Sequence, residues 1–147
     1  MQIRPFQPSD LEPLLDLMRL MVPTHFAEEE VLDYENYLRE ETEAYFVVER
    51  EGELIAAGGV NFRADGITAR ISWDMVHPEF QGKGIGRDLL HHRLDLVKDM
   101  SHIQKVDVRT SQHAHRFYEK SGFRLQEVRP DFWAKGFDLY HMEMRVG

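Results

Sequence analysis

Residues 82–87 read Gly-Lys-Gly-Ile-Gly-Arg, three glycines and two cations in six positions. Glycine has no Cβ, so its backbone can close on a neighbour. An apolar helical pattern starts at Ile85, and a helix start presents unpaired N–H groups and the positive end of a dipole. Gly82, Gly84 and Gly86 beside Lys83 and Arg87 therefore describe an anion seat, most simply for phosphate. A Walker loop is excluded, because Gly82-Lys83 is followed by Gly84 and not by Ser or Thr. A Rossmann fingerprint fails at its last glycine, which is Arg87 here. What remains is Gln-x-x-Gly-x-Gly, from Gln81 to Gly86. On its own that pattern also suits a turn that merely closes a strand onto a helix.

Such a loop needs a strand in front of it and a helix behind it. "TARISWDMV" predicts the strand, and strict alternation places Ile71, Trp73 and Met75 on one face. Arg70, Ser72, Asp74 and Val76 then take the other. Behind the loop, Leu89, Leu90, Leu94, Leu96 and Val97 form an apolar helical stripe.

The remaining elements follow from the same periodicities. "MQIRPF" predicts a first strand. A helix follows with Leu11, Leu14, Leu15 and Met18 on one face, Ser9 and Glu12 as a capping box, and Pro13 in its first turn. Pro23 breaks it, and Thr24 is expected to cap a second helix carrying Val31, Tyr34 and Leu38. "AYFVVER", "EG" and "ELIAAGGVNF" predict a tight hairpin. "KVDVRT" is a strand with Val106 and Val108 inward. "SQHAHRFYEKSG" is a helix with Ser111 as its cap, Ala114 and Phe117 on its core face, and Gly122 as its stop. "FRLQEV" and "FDLYHMEMRV" are closing strands joined by a loop, "RPDFWAKG". The order is β-α-α-β-β-β-α-β-α-β-β: about seven strands in a mixed sheet and about four helices, an α/β (α+β) fold. No repeat or linker interrupts it, so residues 1–147 are expected to form a single domain.

Composition narrows the chemistry. A net charge of −8 argues against a nucleic-acid surface and suits a cationic acceptor, although ordinary solubility also accounts for it. There is no cysteine, which removes disulfides, thiolate metal sites and a thiol nucleophile. No apolar run approaches a membrane span and no signal-peptide pattern opens the chain, so a cytoplasmic protein is expected. His91 with His92, and His113 with His115, lack the spacing of metal ligands, and no metal is expected.

"AHRFYEKSGF", about 30 residues beyond "VHPEFQGKGIG" and on a separate helix, adds a second motif. Together the two resemble the GNAT superfamily of acyl-CoA-dependent N-acyltransferases. The resemblance runs the length of the chain, from "IRPFQPSDLEPLLDLM" through the hairpin "VVEREGELIAAGGV" to the last strand "GFDLYHMEM". It implies the GNAT fold, acetyl-CoA or coenzyme A as cosubstrate, and transfer of an acetyl group to a primary amine.

By motif position, Gln81, Gly82, Lys83, Gly84, Ile85, Gly86 and Arg87 correspond to the pyrophosphate loop. Asp74, Met75 and Val76 end the strand that pairs with the pantetheine arm and polarises the thioester carbonyl. Tyr118 takes the place of the general acid for the departing thiolate, with Phe117 beside it as a core residue. Ser111 stands where many members have Asn, so that coenzyme contact rests on a shorter hydroxyl.

The implied reaction is direct attack in a ternary complex. Asp74 and Asp107 are the candidate bases, the latter because "VDVR" resembles the "EVR" of protein-acetylating members. Phe132 or Trp133 is a candidate contact for the acceptor. A small amine and a protein or peptide amine remain equally open as acceptors, as does a homodimer. The alternative is a non-catalytic acyl-CoA-binding or sensing module.

Overall fold

In a computed structural model that describes residues 1–146, one sheet of seven strands carries a pair of helices on each face. In chain order the elements are β1 (Gln2–Pro5), α1 (Leu11–Arg19), α2 (Glu29–Glu40), β2 (Ala44–Arg50), β3 (Glu53–Phe62) and β4 (Thr68–Val76). They continue as α3 (Ile85–Lys98), β5 (Lys105–Thr110), α4 (His115–Lys120), β6 (Arg124–Ala134) and β7 (Phe137–Arg145). The strands lie in the order β1-β2-β3-β4-β5-β7-β6. Every pairing is antiparallel except β4 with β5, which α3 joins by a crossover. This is the mixed sheet the sequence predicts.

Two cores follow from the two faces. α1 and α2 bury Leu14, Met18, Tyr34 and Leu38 against Tyr45, Val47, Ala57 and Met75. α3 and α4 bury Leu90, Leu94, Val97 and Tyr118 against Val60, Ile71, Val106 and Val108. Leu96 falls outside the α3 stripe and is only half-buried, while Arg93 takes a fully buried place within it.

The helix starts differ from expectation. Ser9 lies inside a short 3₁₀ turn, and α1 begins after Asp10, whose carboxylate accepts the Gln7 N–H at 2.8 Å and two bonds from Arg4. Thr24 lies in a turn, and α2 begins only at Glu29. α4 starts at His115, so Ser111 precedes it by a turn and its Oγ accepts the His113 N–H at 3.3 Å. The stretch "RPDFWAKG" is not a free loop. β6 runs through it to Ala134, bulged between Arg129 and Ala134, and turns at Lys135-Gly136.

β4 breaks the predicted alternation. Between Ser72 and Met75 it advances three residues while β3 advances two, from Gly59 to Ala57. Trp73 takes the extra position with φ at 50°. Ile71 therefore packs under α3, whereas Trp73 and Met75 pack with α1 and α2, which corrects the single face expected for all three. The bulge is held from below: Tyr45 Oη donates to the Trp73 carbonyl at 2.8 Å and shares a 2.7 Å bond with Tyr34 Oη. Glycine on β3 makes the room, because a Cβ on Gly59 would collide with the Tyr45 ring.

Pairing of β4 with β5 stops at Ile71 and Val108, and the ends of the two strands separate beyond it. Tyr45→Phe leaves the Trp73 carbonyl without its donor inside the core. It is expected to destabilise the fold by about 1–3 kcal/mol, read from urea unfolding. Wild-type stability would show that the bulge does not depend on this bond.

Candidate active site

The separated strand ends open a cleft of about 940 Å³ that reaches the start of α3. The glycine loop hangs from the end of β4 into it. Gln81 Nε2 donates to the Val76 carbonyl at 3.0 Å, and His77 Nδ1 accepts the Glu79 N–H at 3.0 Å. Gly82 and Gly84 have φ near 77° and 84°, a left-handed conformation that disfavours any side chain. Gly84 is the cap residue of α3, so the first-turn N–H groups of Ile85, Gly86 and Arg87 have no partner within the helix. Gly86 lets Phe117 and Val76 lie against the helix, each about 3.5 Å from where its Cβ would be. These residues fit a diphosphate: unpaired amides, a helix dipole and little steric bulk.

The cations divide. Arg87 is exposed and lines the cleft. Lys83 is exposed and sits over the Phe80 ring, 5.5 Å from its centroid, outside the cleft lining. Ile85 is buried in the core behind the loop. Met75, Val76 and Ser111 line the cleft.

Asp74 and Tyr118 meet. Tyr118 Oη donates to Asp74 Oδ2 at 2.5 Å, although the two residues stand 44 positions apart in the chain. Both line the cleft. Tyr118 is otherwise a core residue, buried more deeply than Ala114 and Phe117, which pack half-buried on the same core as expected. Burial, and then the Asp74 charge, push the Tyr118 phenol well above its ordinary range, so it keeps its proton.

The other oxygen of Asp74 belongs to Arg93, which sequence reasoning missed. Arg93 Nη1 donates to Asp74 Oδ1 and, at 3.0 Å, to the Gly59 carbonyl, while Nε donates to the Leu89 carbonyl at 3.2 Å. The side chain is 0% exposed, and Nη2 has no partner in its buried position. Burial opposes its charge, but the Asp74 carboxylate outweighs burial and raises the guanidinium above its ordinary value. A Cβ on Gly58 would strike both partners, so glycine there makes room for the pair. The signal was legible: a cation at i+4 from Leu89 and i+3 from Leu90 lies on the apolar stripe and requires a buried counter-charge.

Asp107 is engaged elsewhere. Arg70 donates to both of its oxygens, at 3.0 and 2.8 Å, and His141 Nε2 lies 3.0 Å from Oδ2. It is buried at a position where β4 and β5 are still paired and does not line the cleft. Burial works to raise its carboxyl, yet the Arg70 and His141 contacts hold it below the usual carboxylate range. Trp133 lines the cleft and donates Nε1 to the Thr110 carbonyl at 3.1 Å, with Phe132 edge-on beside it and more exposed. The histidines pack on rings: His92 on Phe46, His115 on Tyr140, His113 on Phe137.

The model of the acetyltransferase (GNAT) family matches residues 11–123. The chain is 31% identical over 120 residues to an amino-acid acetyltransferase of Pasteurella multocida (strain Pm70), covering 82% of this chain and 26% of that protein. It thus spans about a quarter of that relative's length. Among solved structures, an aminoglycoside 6'-N-acetyltransferase complexed with coenzyme A superposes with a TM-score of 0.80 at 16% identity, over 100% of this chain and 98% of that one. The ribosomal-protein-S18-alanine N-acetyltransferase from Escherichia coli gives 0.78 at 18% identity, over 99% and 94%. At these identities the likeness is one of fold.

Arg93→Met removes the counter-charge of Asp74 and leaves a carboxylate facing an apolar core. Breaking a buried pair from one side is expected to cost about 3–5 kcal/mol of stability, and Asp74→Asn in the same chain should recover part of it. Additive losses in a double-mutant cycle would show that the two side chains do not act as a pair.

Proposed function

We propose, from the premise that this chain belongs to the acetyltransferase (GNAT) family, that it moves an acetyl group from acetyl-CoA to a primary amine by direct attack. One observation carries this reading: a single cleft holds an anion seat at a helix start and a proton-bearing phenol hydrogen-bonded to a carboxylate.

The loop from Gln81 to Arg87 receives the diphosphate through the α3 amides. The β4 residues beyond Ile71 lie along the gap, where their unpaired backbone can align the pantetheine arm and meet the thioester carbonyl. A neutral amine nitrogen attacks the carbonyl carbon, and the electron pair moves onto oxygen, stabilised by backbone N–H groups. The carbonyl re-forms as the C–S bond breaks, and the thiolate takes the Tyr118 proton. The proton lost by the amine passes through water to Asp74. The Tyr118–Asp74 hydrogen bond then returns a proton to the phenolate, so the circuit closes with an amide and free coenzyme A. Asp74 is preferred over Asp107 as the base because it lines the cleft, whereas Asp107 lies outside it, bound to Arg70 and His141.

Tyr118→Phe keeps the ring and removes the proton. It is expected to lower kcat about 10²–10⁴-fold on an acetylated amine, with little change in coenzyme A affinity. Gly84→Asp, which places bulk and negative charge at the loop, is expected to weaken coenzyme A at least about tenfold by calorimetry. Wild-type turnover in the first variant, with chemistry rate-limiting, would return Tyr118 to packing. Wild-type affinity in a folded Gly84→Asp protein would contradict the seat.

A further inference from the structure

One cation in the cleft has no counter-ion. Arg109 stands on β5 one residue past Val108, the last position paired to β4, and on the face opposite to that inward valine. It is half-buried and lines the cleft. Two neighbouring arginines are matched, Arg70 by Asp107 and Arg129 by Glu127. Among the described residues no carboxylate lies within salt-bridge distance of Arg109.

What Arg109 does touch is aromatic. Its Cζ lies 4.8 Å from the Phe132 ring centre and 5.6 Å from that of Trp133. The Trp133 ring is itself anchored to the Thr110 carbonyl. The guanidinium is thus set against a wall with its hydrogen-bonding edge unused by any carboxylate. Burial, then the charges of Arg70 and Arg63, push it below its ordinary value against the opposing charge of Asp107.

None of the acidic residues lining the cleft forms a salt bridge with Arg109, and Asp74 is already held by Arg93 and Tyr118. Glu30 accepts the Ala27 N–H at the start of α2, and Glu43 accepts from Asn61 and the Phe62 N–H at the far end of β3. The diphosphate seat does not use Arg109 either, since that seat is built on α3, on the other face of the sheet.

We propose that the acceptor is a small primary amine bearing a carboxylate within two or three bonds of its nitrogen, seated on Arg109 beside Phe132 and Trp133. This rests on the acetyl-transfer reading. An amine so close to the docked carboxylate stays at the mouth of the β4–β5 gap, where the thioester is presented. Guanidinium recognises a planar carboxylate with paired N–H donors, which a neutral amide cannot accept as strongly. The carboxylate takes no part in the reaction: N–H is exchanged for N–acetyl, C–S for S–H. The chain's net charge of −8 suggests a cationic acceptor, but the potential that matters is the local one.

The test uses the full chain with saturating acetyl-CoA and follows thiol release. Glycine, L-alanine, L-phenylalanine and L-glutamate are each paired with their α-amide and with the amine that lacks the α-carboxyl. Acids are expected to exceed their partners by about 10²-fold in kcat/KM, the preference residing in KM. Arg109→Gln should bring the acid-to-amide ratio close to one, and Arg109→Lys should restore part of it. If no pair is turned over, the same pairs are titrated into the coenzyme A complex and read by tryptophan fluorescence, where acids should bind and amides should not. Amides or plain amines that equal the acids in rate or binding overturn the proposal, as does absence of binding by every acid. Loss of coenzyme A affinity in Arg109→Gln overturns it too, because the cation would then serve the donor. If wild-type protein binds no coenzyme A, the acetyl-transfer reading fails first and this one with it.

Discussion

Past Ile71, β4 cannot remain paired on both sides, and everything proposed for this molecule depends on that break. The extra residue at Trp73 turns β4 away from β5 while β3 keeps hold of it. The gap lies over buried sheet, so its strand edges present N–H and C=O groups that have no strand to meet. A bulge of this kind persists only if surrounding contacts over-determine it. Here they come from two sides: the Tyr34–Tyr45 hydroxyl pair under the Trp73 carbonyl, and the Arg93 pair with Asp74 one residue on.

The same two anchors link stability to chemistry. Arg93 is buried completely, and its charge is tolerable only because Asp74 reaches it through the space that Gly58 leaves open. Asp74 is thereby fixed with its second oxygen on Tyr118. A carboxylate on a freely alternating strand would have kept its side-chain freedom; this one is held on the α3–α4 face by a cation at the bottom of the core. On the opposite face, Asp107 serves Arg70 and His141. The two carboxylates that look alike in sequence are separated in role by what their neighbours already demand of them.

Much of this was legible. The hairpin from Ala44 to Phe62 matches its expected strand bounds and its Glu51-Gly52 turn to the residue, and the glycine loop at Gln81–Gly86 sits at a helix start as its spacing requires. The bulge was not visible in "TARISWDMV", whose alternation is unbroken. Its trace lies on the partner strand, in the Gly58-Gly59 pair of "AAGGV", because a glycine inside a strand marks a close approach. Arg93 was hidden by counting only apolar residues along α3, when a charge on that stripe was the informative exception. The caps failed for another reason. Ser9, Thr24 and Ser111 are all plausible starts, but tertiary contacts decide where a helix begins, as the bonds from Arg4 and Gln7 to Asp10 show. The first part of β6 was expected as the strand "FRLQEV", whereas its exposed continuation from Arg129 to Ala134 lacks an apolar face over most of its length, so only its pairing with β7 identifies that part as strand.

The central claim is that the β4–β5 gap and the first turn of α3 form one seat for an acyl donor. Amide hydrogen exchange with and without acetyl-CoA tests it most directly, since the first-turn amides of α3 and the β4 amides that face the gap have no strand or helix partner and should exchange freely until a ligand covers them. The account predicts slowed exchange at Gly82 to Arg87 and in β4 beyond Ile71, with β1 and β2 unaffected. Saturating acetyl-CoA that leaves both segments as fast as before, or protects only residues away from them, would contradict it.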